Sequence, residues 1–424
     1  MTRSQARPTV TTVWAAFKTT IFVLLVTAVA AQGQTFAVLH NFTAAEGQGL
    51  INGLVADRAG NLYGTASWGG LNNCPSSDPG CGTVFKLSRH GTGWIFNILY
   101  SFTGVGDGWW PLTIAVGPDG SLYGNTIFGG LVNCNGGWGC GTVFRLQPPP
   151  TTCRSVSCPW IKTTLFQFDT VPYGVSPSQT VTFDQAGNVY GTTGRGASYD
   201  GGTVWELVHS NGGWTFNILY NNQLVNGETG LGVTFDAAGN LWDAGYGGNN
   251  QNCGGYNDEY YCGVIWELTP SGSGWNQNIV YSFDNTTGGS PSSNLIFDQA
   301  GNLYGTVADN GPEGNGGVFQ YNPTTGAYNL IYAAPGDVNA AYGPMGTPVM
   351  DQAGNIYAAD PANGADDYGY VFKLTPMDGS WMYTDLHDFT AGSDGSAPYG
   401  PLVVDASGNV YGVNAGGVIF EITP

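Results

Sequence analysis

Short apolar segments alternate with stretches rich in glycine, asparagine, aspartate and serine along almost the whole chain. The apolar segments are about four to eight residues long and contain many Val, Ile, Phe and Tyr side chains, which favour strands. No segment beyond the N-terminus keeps apolar residues at helical spacing over the length that a helix needs. The pattern therefore predicts an all-β protein built from short antiparallel strands.

One phrase, Asp-x-x-Gly-Asn-Leu-Tyr or a close variant, marks a repeated unit. Its copies occupy residues 57–63, 117–123, 184–190, 236–242, 298–304, 351–357 and 405–411. In the fullest units the phrase continues as Gly-Thr, a glycine-rich loop, Gly-Thr-Val-Phe-Lys/Arg-Leu, a polar turn and a last segment such as Asn-Ile-Leu-Tyr-Ser-Phe. Each unit therefore reads as a meander of four antiparallel strands.

Seven tandem four-stranded units predict a seven-bladed β-propeller, because radial repetition covers both faces of each sheet. The last unit contains only three apolar segments, at residues 401–405, 409–413 and 418–422. Residues 36–42 resemble the fourth-strand phrase at residues 98–102. We therefore expect the N-terminal strand to complete the last blade and close the ring, since an open array would expose two sheet edges.

The first 31 residues have the features of a secretory signal peptide. Arg3, Arg7 and Lys18 precede an apolar stretch at residues 21–31 that ends in small alanines. The predicted organisation is a signal peptide at 1–31 and one propeller domain at 32–424, with a retained N-terminal anchor as the alternative. No later segment is long and apolar enough to span a membrane. We expect a secreted, extracellular or periplasmic protein whose mature domain does not span the membrane.

Cysteine usage is consistent with export, since all eight cysteines occur in close pairs. The pairs are Cys74 with Cys81, Cys134 with Cys140, Cys153 with Cys158, and Cys253 with Cys262. Three of the pairs fall between the second and third strands of a unit, where a local disulfide would hold a glycine-rich loop. Zinc is the alternative, but zinc sites favour closer Cys pairs together with His. We expect four disulfides, no metal and no cofactor.

The net charge of the chain limits the classes of molecule that it is expected to bind. The chain carries 11 basic and 30 acidic residues, a net charge of −19. Three of the basic residues lie in the predicted signal peptide, so the remaining chain has a charge of 8 minus 30, or −22. Nucleic acid and anionic lipid are disfavoured, because no cluster of Lys and Arg is present to bind phosphates. An extracellular polysaccharide or a protein remains as the expected partner.

The repeated aspartate is expected to be structural, because every blade has the same need for a tight turn. Its carboxylate can accept hydrogen bonds from backbone N–H groups that follow, while Gly or Asn adopts the left-handed conformation. The alternative is calcium, but the spacing Asp-x-Asp-x-Asp-Gly is absent. No arrangement of Ser, His and Asp indicates a catalytic site, and a pair of glycosidase carboxylates has no diagnostic spacing. We assign no catalytic residue.

Loops between the second and third strands and loops between blades emerge on one face of a propeller, and here they are the long and variable ones. Five aromatic residues in such loops of the first two units are candidate ligand-binding residues: Trp68, Trp109, Trp110, Phe128 and Trp138. Exposed aromatic rings could form a platform on which sugar rings stack. The alternative is that these rings pack over the glycine-rich loops as a small core.

A second candidate is the acidic, tyrosine-rich loop at residues 256–261, between Cys253 and Cys262. Asp366, Asp367 and Tyr368 occupy the equivalent loop two units later. These residues either bind a cation or form a solvated loop, and solvation is the more common role of such charged loops.

The units resemble the Gloeo/Verruco repeat, a tandem repeat of exported bacterial proteins. The resemblance is most specific at residues 57–65 with 82–87, 120–126 with 141–146, and 184–193 with 202–207. The fourth and sixth units depart from it, with Trp242-Asp-Ala and Tyr357-Ala-Ala in place of Tyr-Gly-Thr. The resemblance implies export and repeat architecture, and it implies no particular activity.

The sequence favours a binding or interaction propeller that recognises an extracellular glycan or cell-surface polymer through the face with long loops. One alternative is a polysaccharide lyase or glycoside hydrolase that uses aspartates on the same face. A further alternative is a structural component of a surface layer. We expect a binding protein rather than an enzyme.

Overall fold

The computed structural model describes residues 34–70, 74, 79–131, 134–150, 159–169, 172–210, 213–223, 230–248, 262–272, 274–335 and 342–424. These residues form seven separate antiparallel sheets and, apart from two short 3₁₀ turns, contain no helix. The sheets are the blades of a seven-bladed β-propeller, which confirms the fold predicted from the sequence. Residues 34–424 form one compact unit.

The strands are numbered in chain order. Blade 1 contains β2 (Leu54–Ala56), β3 (Leu62–Ala66), β4 (Thr83–His90) and β5 (Gly93–Ser101); blade 2 contains β6 (Trp109–Val116), β7 (Leu122–Phe128), β8 (Thr142–Gln147) and β9 (Ile161–Gln167). Blade 3 contains β10 (Val175–Pro177), β11 (Thr182–Phe183), β12 (Val189–Arg195), β13 (Asp200–Ser210) and β14 (Gly213–Gln223); blade 4 contains β15 (Thr234–Phe235), β16 (Leu241–Gly245), β17 (Val264–Ser271) and β18 (Gly274–Ser282).

The remaining blades follow the same order. Blade 5 contains β19 (Gly289–Pro291), β20 (Ile296–Phe297), β21 (Leu303–Asp309), β22 (Gly317–Asn322) and β23 (Ala327–Ala333); blade 6 contains β24 (Val349–Met350), β25 (Ile356–Asp360), β26 (Tyr370–Met377) and β27 (Ser380–Asp388). Blade 7 contains β28 (Val403–Val404), β29 (Val410–Asn414), β30 (Val418–Thr423) and β1 (Thr35–Asn41). The 3₁₀ turns are Val105–Asp107 and Asn135–Gly137.

Strand β1 closes the ring as expected. It pairs antiparallel with β30 from Thr35 opposite Thr423 to Asn41 opposite Val418. The backbone N–H of Phe42 continues the pairing to the carbonyl of Gly417, at 2.8 Å. Blade 7 is therefore built from both ends of the propeller domain.

The repeated aspartate is a turn lock, which confirms its structural interpretation. Asp57 Oδ1 accepts the backbone N–H groups of Ala59 (2.9 Å) and Asn61 (3.0 Å). Its Oδ2 accepts Asn61 Nδ2 (2.7 Å) and the hydroxyl of Tyr63 (2.9 Å). Gly60 takes the left-handed conformation, with φ +77°. The equivalent aspartates Asp184, Asp236, Asp298, Asp351 and Asp405 make the corresponding bonds.

In five of the seven blades, the glycine after the tyrosine of the phrase makes room for a large ring of the third strand. A Cβ at Gly64 would lie 2.5 Å from the ring of Phe85, which is completely buried. The same contact recurs between Gly124 and Phe144 in blade 2. In these five blades, a large ring from the third strand therefore packs directly on the backbone of the second strand.

The outermost strand of each blade carries a β-bulge at the same position; these strands are β5, β9, β14, β18, β23, β27 and β1. In blade 1, Ile98 lies opposite Phe85 and Tyr100 lies opposite Val84, so Leu99 is the extra residue. Equivalent register shifts occur in the other six blades. The consecutive apolar residues of Ile-Leu-Tyr are explained by this bulge, which turns Leu99 toward the neighbouring blade.

Aromatic side chains beside the bulges stack across the junctions between blades. Five of the seven junctions have nearly parallel rings, with interplanar angles of 6° to 13°. The pairs are His40–Phe96, Phe166–Phe216, Tyr281–Tyr328, Tyr332–Tyr383 and His387–Phe36. At the junction of blades 1 and 2, Lys162 takes this place and donates to Asp107 Oδ1 at 2.8 Å. Two of the four histidines are therefore stacking residues.

Deleting residues 35–42 should destabilise the whole ring. The deletion removes the fourth strand of blade 7 together with the packing of Phe36, Leu39 and Phe42. We expect the thermal midpoint to fall by about 6 °C, since the lost burial amounts to about 5 kcal/mol in a domain of this size. Val38→Thr, at a more exposed position of the same strand, is the control. Unchanged thermal unfolding of the truncated protein would show that β1 does not hold the ring closed.

The turn locks should make stability depend on pH. Burial acts to raise the pKa of Asp351, but hydrogen bonds from Asn355, Tyr357 and Ala353 outweigh it and hold the pKa below its ordinary value of 3.8. A lowered folded-state pKa contributes stability above the unfolded-state value, and that contribution is lost as the pH falls through the folded-state pKa.

We expect Asp351→Asn to lower the free energy of unfolding by about 1 kcal/mol at pH 7. The difference from the unsubstituted protein should shrink below pH 3.8, as the pH falls through the lowered pKa of Asp351 and the carboxyl group becomes neutral. Urea unfolding at both pH values measures this. Asp378→Asn in an exposed turn is the matched control. A difference that does not change with pH would contradict the assignment of the carboxylate charge to the lock.

Candidate functional site

The five predicted aromatic residues come together on the face with the long loops, which we call the loop face. Trp68 follows β3, Trp109 and Trp110 begin β6, Phe128 ends β7, and Trp138 follows the 3₁₀ turn between β7 and β8. The opposite face carries the Asp-x-x-Gly-Asn turns and is called the turn face. Two neighbouring blades thus contribute to one aromatic cluster.

The rings form a continuous chain of contacts. Trp109 stacks on Phe128, with ring centroids 4.6 Å apart, and lies 5.5 Å from Trp138. Phe128 also contacts Trp138 at 5.6 Å and Trp110 at 5.8 Å. Trp110 meets the edge of Trp68 at 5.2 Å. The cluster therefore extends from Trp68 in blade 1 to Trp138 in blade 2.

Burial differs strongly within the cluster. Only 2% of Trp109 is exposed, whereas 50% of Trp138 is exposed. Trp68, Trp110 and Phe128 are half-buried. Each of the two interpretations of the sequence therefore describes part of the cluster: Trp109 is a core residue, while the other rings reach the surface.

Disulfides flank the cluster. Cys74 is bonded to Cys81 and Cys134 to Cys140, with Cα atoms 5.1 Å and 5.5 Å apart, which confirms these two predicted pairs. Cys262 is also disulfide-bonded, and its predicted partner Cys253 lies outside the described residues. Cys153 and Cys158 lie outside the described residues as well. The confirmed disulfides belong to the loops that carry the aromatic rings.

A backbone hydrogen bond, which we call the backbone lock, joins each of these loops to the next blade. The repeat pattern did not predict it. The backbone N–H of Trp110 donates to the carbonyl of Cys81 at 3.1 Å. Trp110 has φ +59°, and Pro111 packs against Gly82, where a Cβ would lie 2.4 Å from the proline ring. The same arrangement recurs at Ser176-Pro177, Ser290-Pro291 and Ala397-Pro398. The signal that could have revealed it was a repeated residue-Pro dipeptide opposite Cys-Gly, or opposite Tyr-Gly in the case of Ala397-Pro398.

Trp110 is the exception among these left-handed residues. The other three are Ser176, Ser290 and Ala397, with φ between 53° and 54°. A left-handed conformation is unfavourable for a bulky side chain, and strained positions of this kind concentrate at functional sites. Ser or Ala forms the same lock in the other three blades, so the geometry of the lock does not account for an indole at position 110.

A groove of 290 Å³ adjoins the cluster at the junction of blades 7 and 1. Trp68 forms one side, Gln48 lies at the exposed rim, and the backbones of Gly49, Gly416 and Gly417 line the remainder. A Cβ at Gly49 would lie 2.8 Å from the indole of Trp68. The groove thus presents an aromatic side chain beside the exposed amide side chain of Gln48.

Carboxylates on the loop face are held by their own loops. Glu46 Oε2 accepts both the backbone N–H and the hydroxyl of Thr43, each at 2.9 Å. Asp394 accepts the same two groups of Thr390. Burial acts to raise the pKa of each carboxylate, but the threonine bonds outweigh it and lower the pKa. A Thr followed by Glu or Asp three or four residues later was the sequence signal for these loop clamps.

Two other carboxyl groups are completely buried. Asp243, in the departing phrase of blade 4, accepts the N–H groups of Gly230 (2.7 Å) and Ala244 (2.8 Å). Asp360 accepts the backbone N–H and side-chain amide of Asn363. Burial raises the pKa of both groups. These carboxyls are enclosed in their own loops and do not form the accessible pair that a glycosidase requires.

The acidic loop at residues 256–261 lies outside the described residues. Asp366 and Asp367 are exposed in the equivalent loop of blade 6, and 45% of Tyr368 is exposed. Within the described ranges, no three His, Cys, Asp or Glu residues are grouped so that they could hold a metal ion. Cation binding by these loops remains a hypothesis.

Residues 254–424 match the family model of the Gloeobacter/Verrucomicrobia repeat. The family resemblance is confirmed for this part of the chain, which includes the departing sixth unit. The phrases of the first three units, on which the resemblance was most specific, lie before the matched segment. No curated protein matches the chain.

Solved structures with a similar fold are also propellers. The extracellular domain of the putative one component system BT4673 from B. thetaiotaomicron has a TM-score of 0.53 and 10% identity, and the alignment covers 91% of this chain but only 40% of that domain. The WD40 β-propeller domain of Doa1 has a TM-score of 0.51 and 10% identity over 92% of this chain and 97% of that domain.

A putative 6-phosphogluconolactonase from Bacteroides fragilis has a TM-score of 0.50 and 14% identity over 87% of this chain and 92% of that protein. At these identities the similarity shows the fold alone. Disulfides are typical of exported proteins. In the part of the chain that the structure describes, no helix has the length and apolarity needed to cross a membrane.

The burial difference predicts different roles for Trp109 and Trp138. Trp109→Ala should lower the free energy of unfolding by about 3 to 5 kcal/mol, because it empties a buried site between the blades. Trp138→Ala should change it by about 1 kcal/mol or less, since half of that side chain is already in water. Urea unfolding of the two variants measures the difference. Equal losses would contradict the division of the cluster into core and surface rings.

Proposed function

We propose that this protein is an exported binding propeller that recognises an extracellular glycan through the aromatic cluster of the loop face. The observation that carries the proposal is Trp110, an indole held at φ +59° within a partly exposed five-ring cluster. Export rests on the predicted signal peptide at residues 1–31 and on the disulfides of the same loops.

The chemistry of the cluster supports a carbohydrate ligand. Sugar rings have an apolar face of C–H groups, which packs on aromatic rings, and hydroxyl groups, which need hydrogen-bond partners. Trp138 and Trp68 supply the rings, while the exposed side-chain amide of Gln48, at the rim of the adjacent groove, supplies donors and an acceptor. Pockets that combine apolar surface with a few polar groups are typical of small-molecule sites.

The rigidity of the site also supports binding. Disulfides hold the loops between β3 and β4 and between β7 and β8, and the Cys81–Trp110 backbone bond ties the first loop to blade 2. A preformed site loses little conformational entropy when a ligand binds. The net charge of −19 further favours a neutral polymer over a polyanion.

The test is retention of the protein on a panel of insoluble and immobilised polysaccharides. We expect Trp138→Ala and Trp68→Ala each to weaken binding about tenfold or more, because loss of a central aromatic contact removes over 1.4 kcal/mol. Tyr368→Ala is the matched control, since it removes a comparably exposed ring from the loop face of blade 6. Thermal unfolding of each variant confirms that the fold is kept.

Retention lost in the tryptophan variants and kept in Tyr368→Ala would support the proposed site. Release of soluble or unsaturated fragments from a bound polymer would instead indicate a lyase or hydrolase. Absence of retention on every polymer would overturn the glycan proposal and favour a protein partner or self-assembly into a surface layer.

A further inference from the structure

A groove of 710 Å³ on the turn face lies between blades 5 and 6, opposite the aromatic cluster. Its lining includes Tyr304, Gln320, Met350, Met377 and Trp381. It is larger than the groove beside Trp68, and no feature of the proposed function uses it. The groove is therefore a separate candidate site.

A shortened hairpin opens this groove. In blade 5, the pairing of β22 with β23 ends at Asn322 opposite Ala327. In blade 6, the pairing of β26 with β27 continues two pairs further, to Met377 opposite Ser380. The longer hairpin of blade 6 therefore forms a wall without an equally long neighbour in blade 5.

The repeat shows what occupies the equivalent position elsewhere. At the junction of blades 2 and 3, Tyr123 meets the edge of Trp214 at 6.1 Å and 70°, and Tyr304 meets Trp381 at 6.0 Å and 76°. At the junction of blades 2 and 3, the guanidinium of Arg145 lies 5.7 Å from the centre of the Tyr123 ring. Arg145 also pairs with Asp119, the carboxylate of the adjoining turn.

Other junctions carry a cation of the chain in a similar place. The Lys86 ammonium lies 5.3 Å from the centre of the Tyr63 ring, near Trp160. The Arg89 guanidinium lies 4.7 Å from the centre of the Trp94 ring and 5.8 Å from that of Tyr411. Three junctions therefore place a cation of the protein beside at least one ring of the aromatic pair.

Blade 5 has no Lys or Arg opposite the tyrosine of its phrase. Its residue opposite the phrase tyrosine is Gln320, which donates to the hydroxyl of Tyr304 at 2.6 Å. The other six blades have a charged residue at this position, which is cationic in blades 1, 2 and 6 (Lys86, Arg145 and Lys373) and anionic in blades 3, 4 and 7 (Glu206, Glu267 and Glu421). The turn carboxylate is kept as Asp298, which also lines the groove. The Tyr304–Trp381 pair thus has the rings and the carboxylate of the blade 2 site without its cation.

We propose that the groove binds an alkyl guanidinium or ammonium group from outside, the side-chain chemistry of arginine and lysine. Tyr304 is only 3% exposed, so the electron-rich face available to the ligand is that of the half-buried Trp381, which attracts such cations within about 6 Å. The polarisable thioethers of Met350 and Met377 adapt to an alkyl chain. The acidic surface of the protein raises the local concentration of cations. The ligand is either a small free amine or guanidine, or a basic segment of a peptide.

The experiment titrates the full protein with N-acetyl-arginine amide and with N-acetyl-citrulline amide, its neutral isostere, while tryptophan fluorescence is recorded. We expect saturable binding of the arginine compound and at least tenfold weaker binding of the citrulline compound. A short arginine-containing peptide forms a second arm. Tighter binding of the peptide than of the amide would identify a peptide segment as the ligand, and equal binding would identify a free cation.

Three variants make the test specific. Trp381→Ala should weaken binding at least tenfold, and Gln320→Arg should block it by restoring the charge found in blade 2. Trp214→Ala is the matched control, because Arg145 already occupies the corresponding site, and it should leave binding unchanged. Trp138→Ala should also leave it unchanged, which separates this site from the proposed glycan site.

Equal binding of arginine and citrulline amides would overturn the proposal, and so would the absence of saturable binding. Equal losses in Trp381→Ala and Trp214→Ala would likewise contradict it. Binding of a neutral oligosaccharide that is lost in Trp381→Ala and unaffected by arginine amide would assign the groove to a glycan instead.

Discussion

Packing between blades is the constraint on which the rest of the molecule depends. A four-stranded blade buries its core only when both of its faces are covered, so each blade needs two neighbours. Pairing of β1 with β30 supplies the last strand of blade 7 and covers the edge of β30. The bulges and stacked rings of the fourth strands then hold the outer part of each junction. The stability of any one blade is therefore a property of the closed ring.

A closed ring leaves its two faces free for different purposes. Turn locks such as Asp57 repeat on the turn face, where a substitution would disturb the tight turn that the blades share. On the other face, disulfides and the bond from Trp110 to Cys81 hold long loops without constraining their sequence. The backbone lock contains Ser176 in one blade and Trp110 in another, so the same backbone geometry presents different side chains.

Departures from the repeat mark the positions where blades acquire individual properties. Trp110 is a large residue at a backbone position that carries Ser or Ala in three other blades. Gln320 departs by charge at a position that is charged in every other blade, and the short β22–β23 hairpin departs by length. Asp243 departs within the core and is enclosed by backbone amides, so it serves the blade rather than a ligand. Only departures that reach the surface contribute to the two candidate sites.

The sequence by itself determined the all-β class, the number of blades, ring closure, the turn role of Asp57 and two disulfides, because each depends on local patterns that recur at a regular spacing. It also selected the five rings of the loop face, since they do not fit the repeat. Tertiary structure decided that Trp109 is buried while Trp138 is half exposed, because burial depends on the neighbouring blade. It also revealed the groove at Trp381, which arises where hairpins of unequal length meet across a junction that no sequence spacing encodes.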